Sequence, residues 1–433
     1  MVDILRPARP LRVVKDVDVC VVGAGPAGLG AAIGAARCGA RVALIERHAF
    51  MGGNFTAASV GSVCGLYYKN GGSFEHVVGG VVDEIVGKLK SQAKAIGPIP
   101  FQESAILLYV PWSAKRLFDD LISSEENVDL FLHAVVSEVV VEGGHLQAVV
   151  VSSKQGPVAV TAKAFVDCTG DGDLVFFAGG ETVMGGPGQR QHASMQFFLQ
   201  NADQNVALTR GIPNFGEIIA KHGQHLSRDA GALIPTFRPG EFIGAMTRVT
   251  NPDGTPIDIT DLDQGTWAEI HGRALAEEAA RFVIEEVPGF SGAFLSDCAP
   301  NVGIRESRRV IGQYVLSGKD VLEGARFEDP VACGAWPQEY HNKGRSTNYV
   351  HLPEGSYYQI PYRSLLPLGF DNLFVAGRCI SADFDALASV RVMAPSMALG
   401  QAAGVGAYLL ARHGKAPYAD LRDLLETSGA KLG

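Results

Sequence analysis

Residues 18–46 constrain the fold more tightly than any other stretch. Asp18 to Val22 (DVCVV) is an apolar, β-branched run. Gly23-Ala24-Gly25-Pro26-Ala27-Gly28 follows at once, then an Ala/Gly-rich stretch to Cys38, a break at Gly39, and a second apolar run from Arg41 to Ile45 that ends at Glu46. Strand, glycine turn, small-residue helix and strand make one βαβ unit. In that setting Gly23 allows the tight turn, Gly25 lets the backbone approach a pyrophosphate, and Gly28 brings helix close to sheet. The helix N-terminus turns amides and a positive dipole end toward the phosphates. Glu46, eighteen residues beyond Gly28, stands where a carboxylate accepts ribose hydroxyls, and its charge disfavours a 2′-phosphate.

The remaining composition narrows the class. The 433 residues carry 37 basic and 46 acidic side chains, a net charge of −9, with no Lys/Arg-rich run. Nucleic acid, which needs clustered cations, is therefore not an expected partner. With 47% apolar and 19% charged residues the chain has ample material for a core and is not of the disordered type. Seven cysteines without a C-x-x-C read as free thiols of a reducing, cytoplasmic compartment, with no disulfide framework and no metal site. The first sixteen residues lack an apolar signal core. Two charge-free runs, Val19 to Ala36 and Val392 to Ala411, are broken by Gly and Pro, and are expected as buried small-residue elements and not as membrane spans.

Along the chain, helical patterns occupy Gly80 to Ala95 and Ser113 to Ser124. From Val128 four apolar runs (VDLFLH, VVSEVVV, LQAVVVS, VAVTAKAFVDC) succeed one another across short turns and predict an antiparallel meander. Between Gly179 and Pro367 the Gly-rich rhythm gives way to mixed segments around one long helix, Trp267 to Val287, with Thr266 and Glu269 read as its capping box. A buried strand at Asn372 to Ala376 and a small-residue helix from Pro395 to Arg412 complete the pattern. The organisation expected is an α/β dinucleotide domain from 1–178 and 368–433, interrupted by a substrate or cap domain at 179–367.

Three further features favour FAD over NAD as the dinucleotide: Gly52-Gly53-Asn54 after the Glu46 strand, Asp167-Cys168-Thr169-Gly170-Asp171-Gly172-Asp173 at the end of the meander, and Phe374-Val375-Ala376-Gly377-Arg378 near the C-terminus. The last leads into a helix that directs amides toward the pyrimidine edge of a flavin. With GIRESRRVIG (Gly303 to Gly312), YQIPYRSLLP (Tyr358 to Pro367) and the long run Asn372 to Gly404, nearly the whole chain resembles the FAD-dependent oxidoreductases of the glutathione-reductase-type Rossmann superfamily, most closely the FAD_oxidored group. The resemblance implies a Rossmann-type FAD-binding domain with an antiparallel β-meander and an inserted α+β substrate domain. It places Gly23, Ala24, Gly25, Pro26, Ala27 and Gly28 on the pyrophosphate, and Glu46 and Arg47 at the adenosine ribose, with the Val136 backbone at the adenine. Thr169, Gly170 and Asp173 then lie at the inner face of the cofactor, and Gly377 and Arg378 near the ribityl chain. Gly53, Asn54, Ser389, Met393 and Ala394 fall toward the isoalloxazine. This chain has Ala394-Pro395-Ser396 where many relatives are expected to carry Pro-Thr-Cys. Cys64 and Cys379 are expected as inert buried thiols, so the FAD is expected to be non-covalent.

Hydride transfer at flavin N5 requires a positioned substrate and one acid or base. The candidates are Arg305, Arg308 and Arg309, then His351 and Tyr358, then His192; Arg305, His351 and Tyr358 lead as catalytic residues. Structural ion pairs are the competing role for the arginines. The expected activity is a dehydrogenase or reductase acting on a small polar or anionic molecule, with an unidentified electron acceptor or donor and a homo-oligomeric state among the expectations. A flavin monooxygenase and a non-catalytic flavin-binding subunit are the alternatives.

Overall fold

The computed structural model describes residues 10–186, 189–342 and 344–433. Part of the first sixteen residues read above, 1–9, lies outside the described residues. Strand β1 (Arg12–Val22) leads through the glycine turn into helix α1 (Pro26–Arg37) and back to β2 (Val42–Ile45), which pairs parallel with β1. The sheet continues with β3 (Val128–Phe131), β4 (Val135–Glu142), β5 (His145–Ser153), β6 (Gly156–Asp167) and β7 (Leu373–Val375). Its order is β3-β2-β1-β6-β5-β4, with β7 alongside β6. β6 forks: residues 156–161 pair antiparallel with β5, while Phe165 to Asp167 pair parallel with β7. Val19 to Val22 of β1 and the whole of β2 are apolar and buried because both faces of the parallel strands are covered there, while the first half of β1 carries Arg12, Lys15 and Asp16.

VDLFLH departs from the expected meander. Its residues 128–131 form the parallel edge strand next to β2, with Val42 opposite Val128 and Ile45 opposite Phe131. The preceding helix, Pro111–Ser123, supplies the crossover that a parallel strand needs. The chain then turns at His133, which adopts φ +54°, before entering β4. The antiparallel ribbon therefore has three strands, β4, β5 and β6.

Helix α2 (Met393–His413) lies against α1, and the two charge-free runs of the sequence are these two helices with their lead-in turns. Among the described residues no helix is long and apolar enough to cross a membrane. A second core, drawn from Ala193 to Ile304, packs around an antiparallel sheet of four strands in the order Ala232–Pro235, Phe242–Ala245, Phe197–Gln200, Phe294–Cys298. Residues beyond it, among them Leu316, Val331, Tyr358 and Leu365, join the first core together with α1 and α2.

The long helix of this second core, Leu262–Glu286, begins five residues before the expected Trp267. Asp261 caps it by accepting from the Gln264 amide at 2.9 Å, while Thr266 is already helical and donates its hydroxyl back to the Leu262 carbonyl at 2.8 Å. Glu269 turns away to accept from the Val302 amide at 3.0 Å. An aspartate in extended conformation ahead of the first turn satisfies the free amides better than a threonine one turn in. Asp261→Ala is therefore expected to lower stability by about 1 kcal/mol. Thr266→Ala should change it by no more than about 0.5 kcal/mol, and urea denaturation midpoints of the two variants compare them directly.

Candidate active site

The first turn of the sheet fixes the nucleotide end. Gly23 has φ +92° and donates to the Ile45 carbonyl at 2.8 Å. A Cβ on Gly28 would lie 1.7 Å from the Gly23 carbonyl oxygen, so this glycine is required by the turn itself. Gly25 differs: its φ is −73°, open to any residue, and a Cβ there would meet only the Gly53 Cα at 3.8 Å. Neither conformation nor packing within the chain asks for glycine at 25. The space in front of it, facing an α1 N-terminus that has no side-chain cap, suits a pyrophosphate. Ala24, Pro26 and Ala27 complete the turn, with Pro26 in the first turn of α1, where a missing amide hydrogen costs nothing.

Glu46, 4% exposed, accepts from the Ala24 amide at 2.8 Å through Oε2 and from the His48 amide at 2.9 Å through Oε1. Each oxygen keeps a second lone pair for a ribose hydroxyl. Arg47 is exposed beside it, and Val136 is half-buried on β4. Gly53 sits at φ +50° opposite Gly25, and Asn54 donates Nδ2 to the Ile304 carbonyl at 2.9 Å.

The wall of the cleft is a web of acids and arginines. Buried Asp167 accepts from the Thr169 hydroxyl at 2.7 Å and the Leu174 amide at 2.8 Å, which shapes the Thr169-Gly170-Asp171 turn. Asp171 accepts from Ser307 at 2.5 Å and from Arg378 at 2.7 Å. Burial opposes ionisation of Asp171, but Arg378, Ser307 and Arg47 together hold its carboxyl below the ordinary value. Asp173 pairs with Arg308 at 2.5 Å, yet burial and the neighbouring Asp171 and Asp167 charges push it up to about 6. Arg308 also lies over the Phe176 ring at 4.0 Å, and Arg309 donates to the Ala382 carbonyl at 3.0 Å while facing Glu306 at 3.4 Å. These two arginines are occupied by ion pairs and backbone. Gly377, at φ +88°, turns Arg378 into the same web.

The three leading catalytic candidates lie in different settings. Arg305 donates Nη1 to the His192 carbonyl at 2.9 Å and to the Ser194 hydroxyl at 2.8 Å. Tyr358 is fully buried and shares a 2.8 Å hydrogen bond with Ser389, whose hydroxyl donates to the Trp336 carbonyl. Tyr358 and Ser389 thus fasten core elements to one another. His351 lines an outer groove with Tyr68, Lys69 and Glu103, its ring stacked on Tyr349 at 6.1 Å. Met393 and Ala394 form the uncapped start of α2, where the Ala394 amide donates to the Cys64 carbonyl at 3.3 Å.

Around Arg305 the structure assembles side chains that the sequence reading did not single out. Glu339 accepts from Trp336 Nε1 at 3.1 Å and from the Tyr349 hydroxyl at 3.2 Å, and lies 2.9 Å from His341 Nε2. Arg391 donates to the Glu339 carbonyl at 3.2 Å. Arg228 donates to Thr347 Oγ1 at 2.8 Å, and Thr347 lies 3.1 Å from His341 Nδ1. One tautomer satisfies the whole chain: neutral His341 donates Nε2–H to Glu339 and accepts the Thr347 hydroxyl at Nδ1. Burial and the Arg305 charge keep His341 neutral, well below its usual range. Against the cost of burial, His341, Arg391 and Arg305 keep Glu339 ionised. Arg391 carried a signal in the sequence as the lone charge within ALASVRVMAPSMALG; Arg228 and Glu339 carried none.

The contrast between the glycines of the first turn is measurable. Gly25→Ala should leave the melting temperature of the cofactor-free protein unchanged and weaken nucleotide retention by about tenfold or more, equivalent to roughly 1.4 kcal/mol. Gly28→Ala should impair folding itself. Thermal melts of the stripped proteins and titration with the dinucleotide separate the two effects.

Thiamine thiazole synthase of Aeropyrum pernix is 31% identical over 169 residues, 36% of this chain and 56% of that protein, so the chain spans little more than half the length of that relative. Two solved structures align over most of the chain. One is a geranylgeranyl bacteriochlorophyll reductase-like protein from Thermoplasma acidophilum, with TM-score 0.46 and 14% identity over 96% of this chain and 85% of that one. The other is the flavin-dependent brominase Bmp2, with TM-score 0.47 and 12% identity over 94% and 83%. The profile of the FAD dependent oxidoreductase family matches residues 18–430. With that match over nearly its whole length, the chain belongs to the FAD dependent oxidoreductase family, and its cofactor is FAD.

Proposed function

We propose that the protein oxidises or reduces a small, polar, anionic organic molecule, with a hydride passing between a substrate C–H and flavin N5. The observation that carries the reading is the position of two arginines. Arg305 directly follows Ile304, whose carbonyl holds Asn54, and Arg391 stands two residues before Met393 at the start of α2. Asn54 and Met393 belong to the segments that the resemblance assigns to the isoalloxazine, and on that assignment Arg305 and Arg391 are the cations adjoining them in the chain. Bound FAD supplies the two-electron acceptor or donor.

The residues of the chain supply binding and proton handling. Arg305 and Arg391 orient an anionic group by charge-assisted hydrogen bonds. His192 holds a buried Nδ1 with no hydrogen-bond partner among the described residues. Burial, with the charges of Arg248, Arg305 and Arg190, pushes its pKa down to about 4. A neutral imidazole there serves as proton acceptor: as the C–H leaves with its electron pair, the proton of the substrate hydroxyl or amine goes to His192 Nδ1. Non-covalent attachment follows from the thiols. Burial pushes Cys64 up to about 12 and Cys379 well above its usual range, which leaves almost no thiolate to bond a flavin.

Anaerobic addition of candidate hydroxy, amino and unsaturated acids to the FAD-loaded protein tests the reading. Bleaching of the oxidised flavin band by one of them supports it, and failure of every acid, with neutral alcohols or amines bleaching instead, overturns it. With a substrate in hand, Arg305→Lys should raise KM about tenfold, or roughly 1.4 kcal/mol, at unchanged FAD content and melting temperature; a lowered melting temperature with normal kinetics would assign Arg305 a structural ion pair. His192→Gln should lower kcat by ~100-fold with little change in KM. Because the base must be unprotonated, kcat/KM of the wild type in the oxidation direction should fall only as pH drops toward 4, and His192→Gln should remove that acid limb.

A further inference from the structure

The arginine cluster around Arg305 holds more positive charge than a single anionic group needs. Arg228, Arg305 and Arg391 each retain some accessible surface. Arg248, buried next to them, is fixed by the carbonyls of Gly344 and Ser346, the latter at 2.6 Å. Asp229 lies beside Arg248, and among the described residues Glu339 is the carboxylate that faces Arg305 and Arg391 of the other three, since Glu306, which also reaches Arg391, is engaged by Arg309. The excess is two positive charges. Burial and the surrounding cations push Arg305 down to about 9, still protonated at neutral pH, so the excess is not relieved by proton loss.

Two buried donors are also unspent. The Nε–H groups of Arg228 and Arg391 have no hydrogen-bond partner among the described residues, although Arg391 keeps only 9% of its side chain exposed. The anchors of the arginines differ: Arg305 is held by Ser194 and Arg391 by the Glu339 carbonyl, whereas Arg228 and Arg248 are held by the 344–347 segment. Planar guanidinium forks on separately anchored elements match two carboxylates better than one compact anion.

We propose that this arginine cluster is a two-point site for a small dicarboxylate, with Arg305 and Arg391 taking the carboxylate nearer the flavin and Arg228 the farther one. The inference rests on the reading of this cluster as the substrate site, and it adds the substrate class. A buried cationic excess in a chain of net charge −9 makes selection local: long-range attraction does not favour the anion, and the forks must recognise it at contact.

The test uses the FAD-loaded protein with succinate, acetate and inorganic phosphate, each followed by calorimetry and by the flavin difference spectrum. Succinate should bind at least ~100-fold more tightly than acetate, weaken as ionic strength rises, and perturb the flavin spectrum. Arg228→Gln should cost succinate at least ~10-fold in affinity and leave acetate unchanged. Should Arg228→Gln fail to fold, the succinate-to-acetate ratio of the wild type still decides. Equal binding of succinate and acetate, or no binding of either, overturns the inference, and phosphate binding more tightly than succinate overturns it in favour of one compact dianion. Tight succinate binding that leaves the flavin spectrum unperturbed retains the two-point site and overturns its assignment as the substrate site.

Discussion

The architecture depends on one backbone-to-backbone contact between helices α1 and α2, whose starts are separated by most of the chain. Cβ atoms on Gly30 and Gly34 would lie 2.2 Å from the Met397 carbonyl oxygen and 2.9 Å from that of Gln401, and on Gly400 and Gly404 they would lie 1.9 Å and 2.1 Å from the carbonyls of Ala27 and Ala31. Each helix gives up side chains where the other presents its backbone, and the axes approach more closely than larger residues allow. This contact brings the start of α2 toward the glycine turn of α1, so two helix N-termini without side-chain caps are held near one another. Gln401 extends the joint by accepting the Val81 amide at 2.9 Å and donating to Ser428 at 2.8 Å. The charge-free composition of both runs is the sequence signature of that requirement, since a charge in either would be buried without water or partner.

Elements whose reason is local were legible in the sequence. The βαβ unit, its glycines and Glu46 form within a few tens of residues, and each glycine answers to a turn, a close approach or an open cradle that spacing alone announces. VDLFLH was misassigned because an apolar, β-branched run specifies a strand but not its neighbour; the helix before it decided for β2. The start of the long helix was misplaced for a related reason. Two acceptable caps stood five residues apart, and the register is fixed by packing of Ala268, Ala276 and Ala280 in the second core together with the Asp261 cap. Tyr358 and Ser389 sit in segments that carry the resemblance, yet the residues themselves bond across the core. A motif marks that a position matters without saying whether it faces a ligand or a neighbouring strand.

The substrate side was the least legible part, for a physical reason. Arg228, Arg248, Arg305, Glu339 and Arg391 come from separate elements, and nothing in local spacing announces that they converge. The dense cluster visible in the sequence, Arg305 to Arg309, divides in the structure. Arg308 is held by Asp173 and Arg309 by the Ala382 carbonyl and Glu306, which leaves Arg305 with no carboxylate within ion-pair distance among the described residues. Cationic density in sequence thus resolved into three different roles once alternate side chains were sent to different walls.

That division of labour places residues 305–309 between the Asp171–Arg378 web and the arginines around Arg305. Ser307 donates to Asp171 and accepts from Arg378 at 2.7 Å, which ties the segment to that web, while Arg305 two residues earlier belongs to the arginine cluster. Between them Glu306, pushed up to about 7 by burial, accepts the Gln191 amide at 3.0 Å, and the Gln191 side chain in turn accepts the His341 amide at 2.6 Å. A change of charge beside Arg305 therefore acts on Glu306 through Arg391 and Arg190, and on the Asp171 web through the single residue that separates Arg305 from Ser307. With so short a connection, neither side can shift its charge balance without the other meeting the consequence at the next peptide units.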